Sequence, residues 1–181
     1  MAEKIFALRW VFQTFDKPPR GIWFLDSDIT LLNSLPTIPE GKEVALSPHY
    51  IRPGDEAKYG RYNGGFLWLS DMKFLDVWET ATHTARFFEQ SALEEVAKST
   101  EHLHEFPIQV NFGWWRLWQS LESPESIQKK FGLNRTKGIG LTFQDEQLNS
   151  VHTHWGEIRD PYTKGFNDFL KGLLGKLGKH K

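Results

Sequence analysis

Runs of apolar residues, broken by Pro, Gly and charge, divide the chain into short helices and strands. Across residues 3–15 the apolar positions Ile5, Phe6, Leu8, Trp10, Val11, Phe12 and Phe15 crowd a helical wheel and predict a partly buried helix. Lys17-Pro18-Pro19-Arg20-Gly21 ends it. The run Ile22-Trp23-Phe24-Leu25 predicts a short strand, followed by a segment over 29–35 closed by Pro36, and residues 44–47 predict another strand. Residues 49–61 mix Pro, Gly and charge and read as a loop. Tyr62-Asn63-Gly64-Gly65 then leads from a glycine turn into the apolar strand Phe66-Leu67-Trp68-Leu69. Helices are predicted over 72–81 and 87–99, and strands over 138–143 and 148–155. The final stretch places Phe166, Phe169, Leu170, Leu173, Leu174 and Leu177 on one helical face, an amphipathic helix over about residues 163–178. Lys171, Lys176, Lys179 and Lys181 lie among or after them, so this helix either docks on its own domain or rests peripherally on an anionic membrane.

Strands alternating with helices argue for an α/β domain with a mixed sheet, and 181 residues suffice for a single domain with a real core. In such sheets ligands gather beyond the carboxyl ends of strands. Asp26-Ser27-Asp28 stands at such an end, after the apolar run. Side chains two apart on an extended chain point to the same face, so the two carboxylates are neighbours that repel. A divalent cation removes that repulsion, and oxygen ligands of this kind suit Mg²⁺ or Mn²⁺ carrying phosphates.

Four further clusters carry chemistry. Asn63, Gly64 and Gly65 open a strand where glycine lets a ligand approach backbone and the amide reaches hydroxyls. Glu89 and Gln90 follow two phenylalanines at an expected helix start and either cap it or grip a polyhydroxylated substrate. Trp114, Trp115 and Arg116 place two indoles and a guanidinium together, which suits a sugar-stacking wall. His152 and His154 alternate along an expected strand and could supply imidazole ligands.

Composition narrows the classes. A net charge of −1 gives no electrostatic footprint for nucleic acid. Zero cysteines exclude a disulfide framework and Cys-based zinc sites. No apolar run approaches a membrane span, and the first ten residues carry charges where a signal peptide would be apolar, so a soluble, cytoplasmic protein is expected. Eight Trp and fourteen Phe are the anomaly, and they point to an aromatic core with some left for ligand stacking.

Taken in order, the apolar strand with Asp-Ser-Asp, Asn-Gly-Gly-Phe, Glu-Gln, and a late strand-His followed by a basic residue and proline resemble the GT-A glycosyltransferases. The likeness is nearest to the glycogenin-like nucleotide-diphospho-sugar transferases and covers most of residues 23–162. It implies a GT-A-like mixed sheet flanked by helices and transfer of a sugar from a nucleotide-diphosphate donor to a carbohydrate or other hydroxyl acceptor. It further implies Mn²⁺ (or Mg²⁺) held by Asp26, Asp28 and His152, with His154 the rival ligand, and Arg159 on the diphosphate. Asn63, Gly64 and Gly65 would border the donor sugar, and Glu89 and Gln90 would face the transferred sugar. The family normally carries a nucleotide-binding βαβ half ahead of its Asp-x-Asp, a unit of about 30 or more residues. Only 25 residues precede Asp26, so most of that half is expected to be missing.

Two rival readings stand beside this one. Asp26-x-Asp28-x-Thr30-Leu31 also resembles the first motif of haloacid-dehalogenase-type phosphatases, with Asp26 as nucleophile and Asp28 as acid/base. That chemistry needs a downstream acidic pair, for which Asp145-Glu146 is the nearest offering. The other rival is a non-catalytic carbohydrate-binding remnant that keeps the Trp-rich wall.

Overall fold

The computed structural model describes residues 3–15, 20–134 and 140–178. The helix-ending Lys17-Pro18-Pro19, the first residues of the strand expected from 138, and Lys179 and Lys181 lie outside the described residues. The fold is mixed α/β, with sheets of mixed direction and helices packed on them. The chain divides into two compact units of interleaved sequence. The first takes residues 1–26, 37–49 and 53–106, the second 27–36, 50–52 and 107–181.

The first unit is built on four strands in the order β1-β4-β3-β5, namely β1 (Ile22–Leu25), β4 (Tyr62–Leu69), β3 (Val44–Pro48) and β5 (Leu103–Glu105). β4 is antiparallel to both neighbours, whereas β3 and β5 run parallel. β4 is almost wholly buried and starts at Tyr62, so Asn63, Gly64 and Gly65 lie within the strand and not in a turn ahead of it. Alternation along it sends Leu67 and Leu69 into a core with Ile5, Leu8, Phe74, Leu75, Trp78, Leu93 and Val96. Those residues come from helices α1 (Glu3–Thr14), α3 (Lys73–Thr82) and α4 (Leu93–Lys98). Phe66 meets Trp23 and Phe106 instead, with ring centroids 5.6 and 5.5 Å away. On α1 the buried set is Ile5, Leu8 and Phe12, a single stripe, and Phe6 and Trp10 remain exposed.

Two local expectations are corrected here. The loop read over 49–61 contains helix α2 (Pro53–Tyr59). Its signals are Pro53 at the first helical position, Asp55 and Glu56 in the first turn, and Gly60 at φ +95° just past the end. The helix expected from residue 87 begins only at Leu93. Phe88 turns the chain with φ +44°, and the Trp78 Nε1–H donates to the Glu89 carbonyl at 2.7 Å, fixing a tight turn ahead of α4.

The second unit carries two three-stranded sheets. One has the order β2-β10-β6: β2 (Ile29–Leu31), β10 (Ser150–His152) and β6 (Phe112–Gly113). The other is the antiparallel set β7 (Phe131–Leu133), β8 (Leu141–Phe143) and β9 (Glu146–Gln147). Helices α5 (Trp115–Gln119), α6 (Pro124–Lys129) and α7 (Pro161–Gly178) complete it. Phe112, Leu117, Leu141, Phe143, Val151, Phe166 and Leu170 form its core. The apolar stripe of α7 therefore docks on its own unit through Phe166 and Leu170, with Phe169 and Leu173 packed at the edge. Among the described residues no helix is long and apolar enough to cross a membrane.

Candidate functional site

In the first unit, strand register brings three sequence-distant motifs together. β1 and β4 pair Leu25 with Phe66, so the next step sets Asp26 beside Gly65, and the Asp26 N–H donates to the Gly65 carbonyl at 2.8 Å. The Gly65 N–H is held by Asn63 Oδ1 at 3.1 Å, and the Gly64 N–H donates to Gln90 Oε1 at 3.2 Å. Gln90 in turn donates from Nε2 to the Tyr59 carbonyl at 3.0 Å. Lys4, from α1, closes the group. Its Nζ stands 3.3 Å from Asp26 Oδ1 and 3.1 Å from Glu89 Oε1, and donates to the Gly64 carbonyl at 3.2 Å.

In the second unit, β2 and β10 pair Ile29 with His152. One residue further, the Thr153 N–H donates to the Asp28 carbonyl at 3.1 Å, so His152 and His154 flank the residue opposite Asp28. His152 Nε2 lies 3.0 Å from Asp28 Oδ1, and His154 Nδ1 lies 3.0 Å from Asp28 Oδ2. The first contact lacks hydrogen-bond alignment. The buried Asp28 Oδ1 has no hydrogen-bond partner among the described residues, and neither has the buried His152 Nδ1 on the other side of the ring. Burial pushes the Asp28 carboxyl up, but its contact with His152 and the nearby His154 outweigh this and hold it below its ordinary value.

The surroundings fix this arrangement. Asn167 of α7 donates from Nδ2 to the His154 carbonyl at 2.7 Å, and its Oδ1 accepts from the Thr153 hydroxyl. Trp155 donates from Nε1 to the Thr30 hydroxyl at 2.6 Å. Trp115 packs edge-on to the His152 ring, centroids 5.1 Å apart. An open cleft of about 420 Å³ lies over the group, lined by Ser27, Asp28, Thr153, His154, Trp155, Gly156 and Glu157.

The remaining candidates are placed as follows. Trp115 is buried beside His152, and Trp114 is partly buried at the edge of the second core. Arg116 is only 1% exposed and donates from Nη1 to the carbonyls of Ile108 at 2.8 Å and Asn111 at 2.6 Å. Burial pulls its guanidinium down to about 9, against the influence of Tyr50. These three residues thus support the interior and form no exposed wall. Arg159 is exposed in the loop leading to α7. Gln144 and Asp145 take φ of +55° and +64° at the tip of the β8–β9 hairpin, in the sheet that does not contain β2 or β10, so Asp145-Glu146 closes no site at Asp28.

Asp28 and His152 are ligand types that a metal takes, as is Asp26, two residues before Asp28 along the chain. Two roles escape sequence reading. Lys4 is one of several charges on an amphipathic helix, and Asn167 sits on a helix whose visible signal is its apolar stripe. No family model, curated protein or solved structure matches the chain.

Proposed function

We propose that the chain is a metal-dependent glycosyltransferase that moves a sugar from a nucleotide-diphosphate donor to a hydroxyl acceptor. One observation carries the reading. Asp28, which lines an open cleft, presents a buried oxygen without a hydrogen-bond partner 3.0 Å from the His152 imidazole. Ligand atoms about 2.1 Å from one ion and at right angles to each other stand about 3.0 Å apart, so the spacing of His152 and Asp28 suits a shared divalent cation. A carboxylate with an imidazole favours a transition ion such as Mn²⁺ over Mg²⁺. Asp28 and His152 would hold the ion, with His154 the rival imidazole. Asp26 is the ligand that the family resemblance adds.

Bound there, the ion supplies Lewis acidity to a departing diphosphate. The chain's own residues supply the rest. Arg159, exposed in the loop that follows the cleft, offers a bidentate guanidinium to phosphate oxygens. Trp155, tied to Thr30, gives the cleft an aromatic wall. Glu89, with 12% of its side chain exposed, is the carboxylate assigned to the sugar side, either accepting the acceptor's proton or facing the transferred ring. Gly64 and Gly65 are the pair that the family resemblance assigns to the donor sugar; both are buried in β4, and Gln90 holds the Gly64 N–H.

The test is calorimetric titration of UDP, GDP and their sugars into the chain with and without Mn²⁺, beside Asp28→Ala. Metal-dependent binding that the variant loses is expected. Nucleotide binding that ignores both metal and variant would sink the assignment, and binding of free sugars alone would favour the carbohydrate-binding remnant.

A further inference from the structure

The first unit carries a cation of its own at the sugar side. Lys4 lies in the first turn of α1, and an ammonium is strongly hydrated, so a lysine there ordinarily extends into water. This one leaves 24% of its side chain exposed and passes over the Phe24 ring, 5.3 Å from the centroid. Its Nζ gathers acceptors from three separate segments: Asp26 at the end of β1, the Gly64 carbonyl of β4, and Glu89 in the turn before α4. Because both carboxylates touch the same nitrogen, they stand no more than about 6.4 Å apart. Without the ammonium they repel across a half-buried space and turn away from one another. Phe88 at φ +44° and the Trp78 bond to the Glu89 carbonyl fix the backbone of that turn, so the Lys4 contact is what aims the Glu89 side chain.

We infer that Lys4 is a positioning residue for Glu89, a resident counter-ion that holds its carboxylate beside Gly64 and ties that aim to the seating of α1. The inference rests on the reading of Glu89 as the carboxylate that faces the transferred sugar.

The experiment replaces the ammonium from solution. Lys4→Ala removes a propylammonium fragment, so the variant is titrated with n-propylammonium and, separately, with the neutral n-propanol. Amide resonances of Gly64 and Gln90 and the melting temperature are followed. Propylammonium is expected to return both amides toward their wild-type positions and to raise the melting temperature, while propanol does neither. In Lys4→Ala/Glu89→Gln the ammonium response is expected to fall at least about fivefold, in line with direct coupling between touching groups. Equal responses to alcohol and ammonium, or wild-type amide positions in Lys4→Ala before any addition, would overturn the assignment.

Should Lys4→Ala not fold, Glu89→Gln in the otherwise intact chain carries the test. Its lost charge is expected to shift the ¹⁵Nζ resonance of Lys4, and an unmoved resonance would overturn the proposal. Turnover separates this inference from the one beneath it. Propylammonium is expected to raise kcat of Lys4→Ala with donor KM unchanged. Intact ammonium coupling in a chain that turns over no donor would remove the transferase reading and leave the Lys4 contact standing.

Discussion

Asp26 and Asp28 are two residues apart, yet the two units compensate them with different chemistry. In the first unit Asp26 is met by the ammonium of Lys4, a fixed charge delivered by a helix. In the second unit Asp28 is met by His152 and His154, whose charge depends on protonation and whose nitrogens are available to a metal. A lysine offers donors only and cannot coordinate an ion while it is protonated. A neutral imidazole, by contrast, is a side chain that can coordinate a metal. The same sequence motif thus yields a carboxylate paired with an ammonium on one side of Ser27 and one paired with imidazoles on the other. The first suits positioning, and the second suits binding.

The largest expected effect separates the two units by stability. Trp78→Ala empties the first core and removes the donor that holds the Glu89 carbonyl, and it should cost about 3–5 kcal/mol in urea unfolding. Mn²⁺ affinity of the folded variant should hold within about twofold, since Asp28 and His152 belong to the second unit. A parallel loss of affinity would break the comparison.

Asp28→Ala comes next. Removing the carboxylate between two imidazoles should weaken Mn²⁺ binding about 100-fold, or about 2.7 kcal/mol, by calorimetry. Gly113→Ala approaches the same site from behind. A Cβ at Gly113 would lie 2.1 Å from the Trp115 ring, which packs against His152. Displacing that ring should cost about 1–3 kcal/mol of stability and weaken Mn²⁺ binding as well.

The pH dependence of the metal-free chain sharpens the contrast from another side. Asp28 has its folded pKa below the ordinary 3.8, so the unfolded chain takes up its proton first as pH falls. Its contribution to stability is fully present above the ordinary value and is lost as pH drops through the lowered one. Acid unfolding of wild type beside Asp28→Asn should show that extra slope in wild type alone. The smallest effect is expected at Arg159. Being exposed, Arg159→Ala should change stability by no more than about 0.5 kcal/mol while weakening nucleotide-diphosphate binding.

Much of this was legible in the sequence because it is written in local periodicity. The apolar runs give β1, β4 and the stripe of α7, and Asp26, Asp28, His152 and His154 stand out as ligand types at strand ends. What escaped depends on tertiary context. The tight turn through Phe88 follows from a long-range bond by Trp78, which no pattern near residue 88 announces. Arg116 reads as a surface guanidinium beside two indoles, yet two backbone carbonyls draw it inside. Helix α2 was masked by the Pro, Gly and charges that in fact mark its two ends. Lys4 could not be singled out, because its acceptors lie 22, 60 and 85 positions away along the chain.

The most direct measurement is Mn²⁺ titration, by calorimetry, of the wild-type chain, Asp28→Ala and His152→Ala at neutral pH without nucleotide. Saturable binding of one ion in wild type, lost or sharply weakened in both variants while their folds persist, is the expected result. Binding unchanged in both variants, or none in a folded wild type, would contradict the claim that Asp28 and His152 form a metal site.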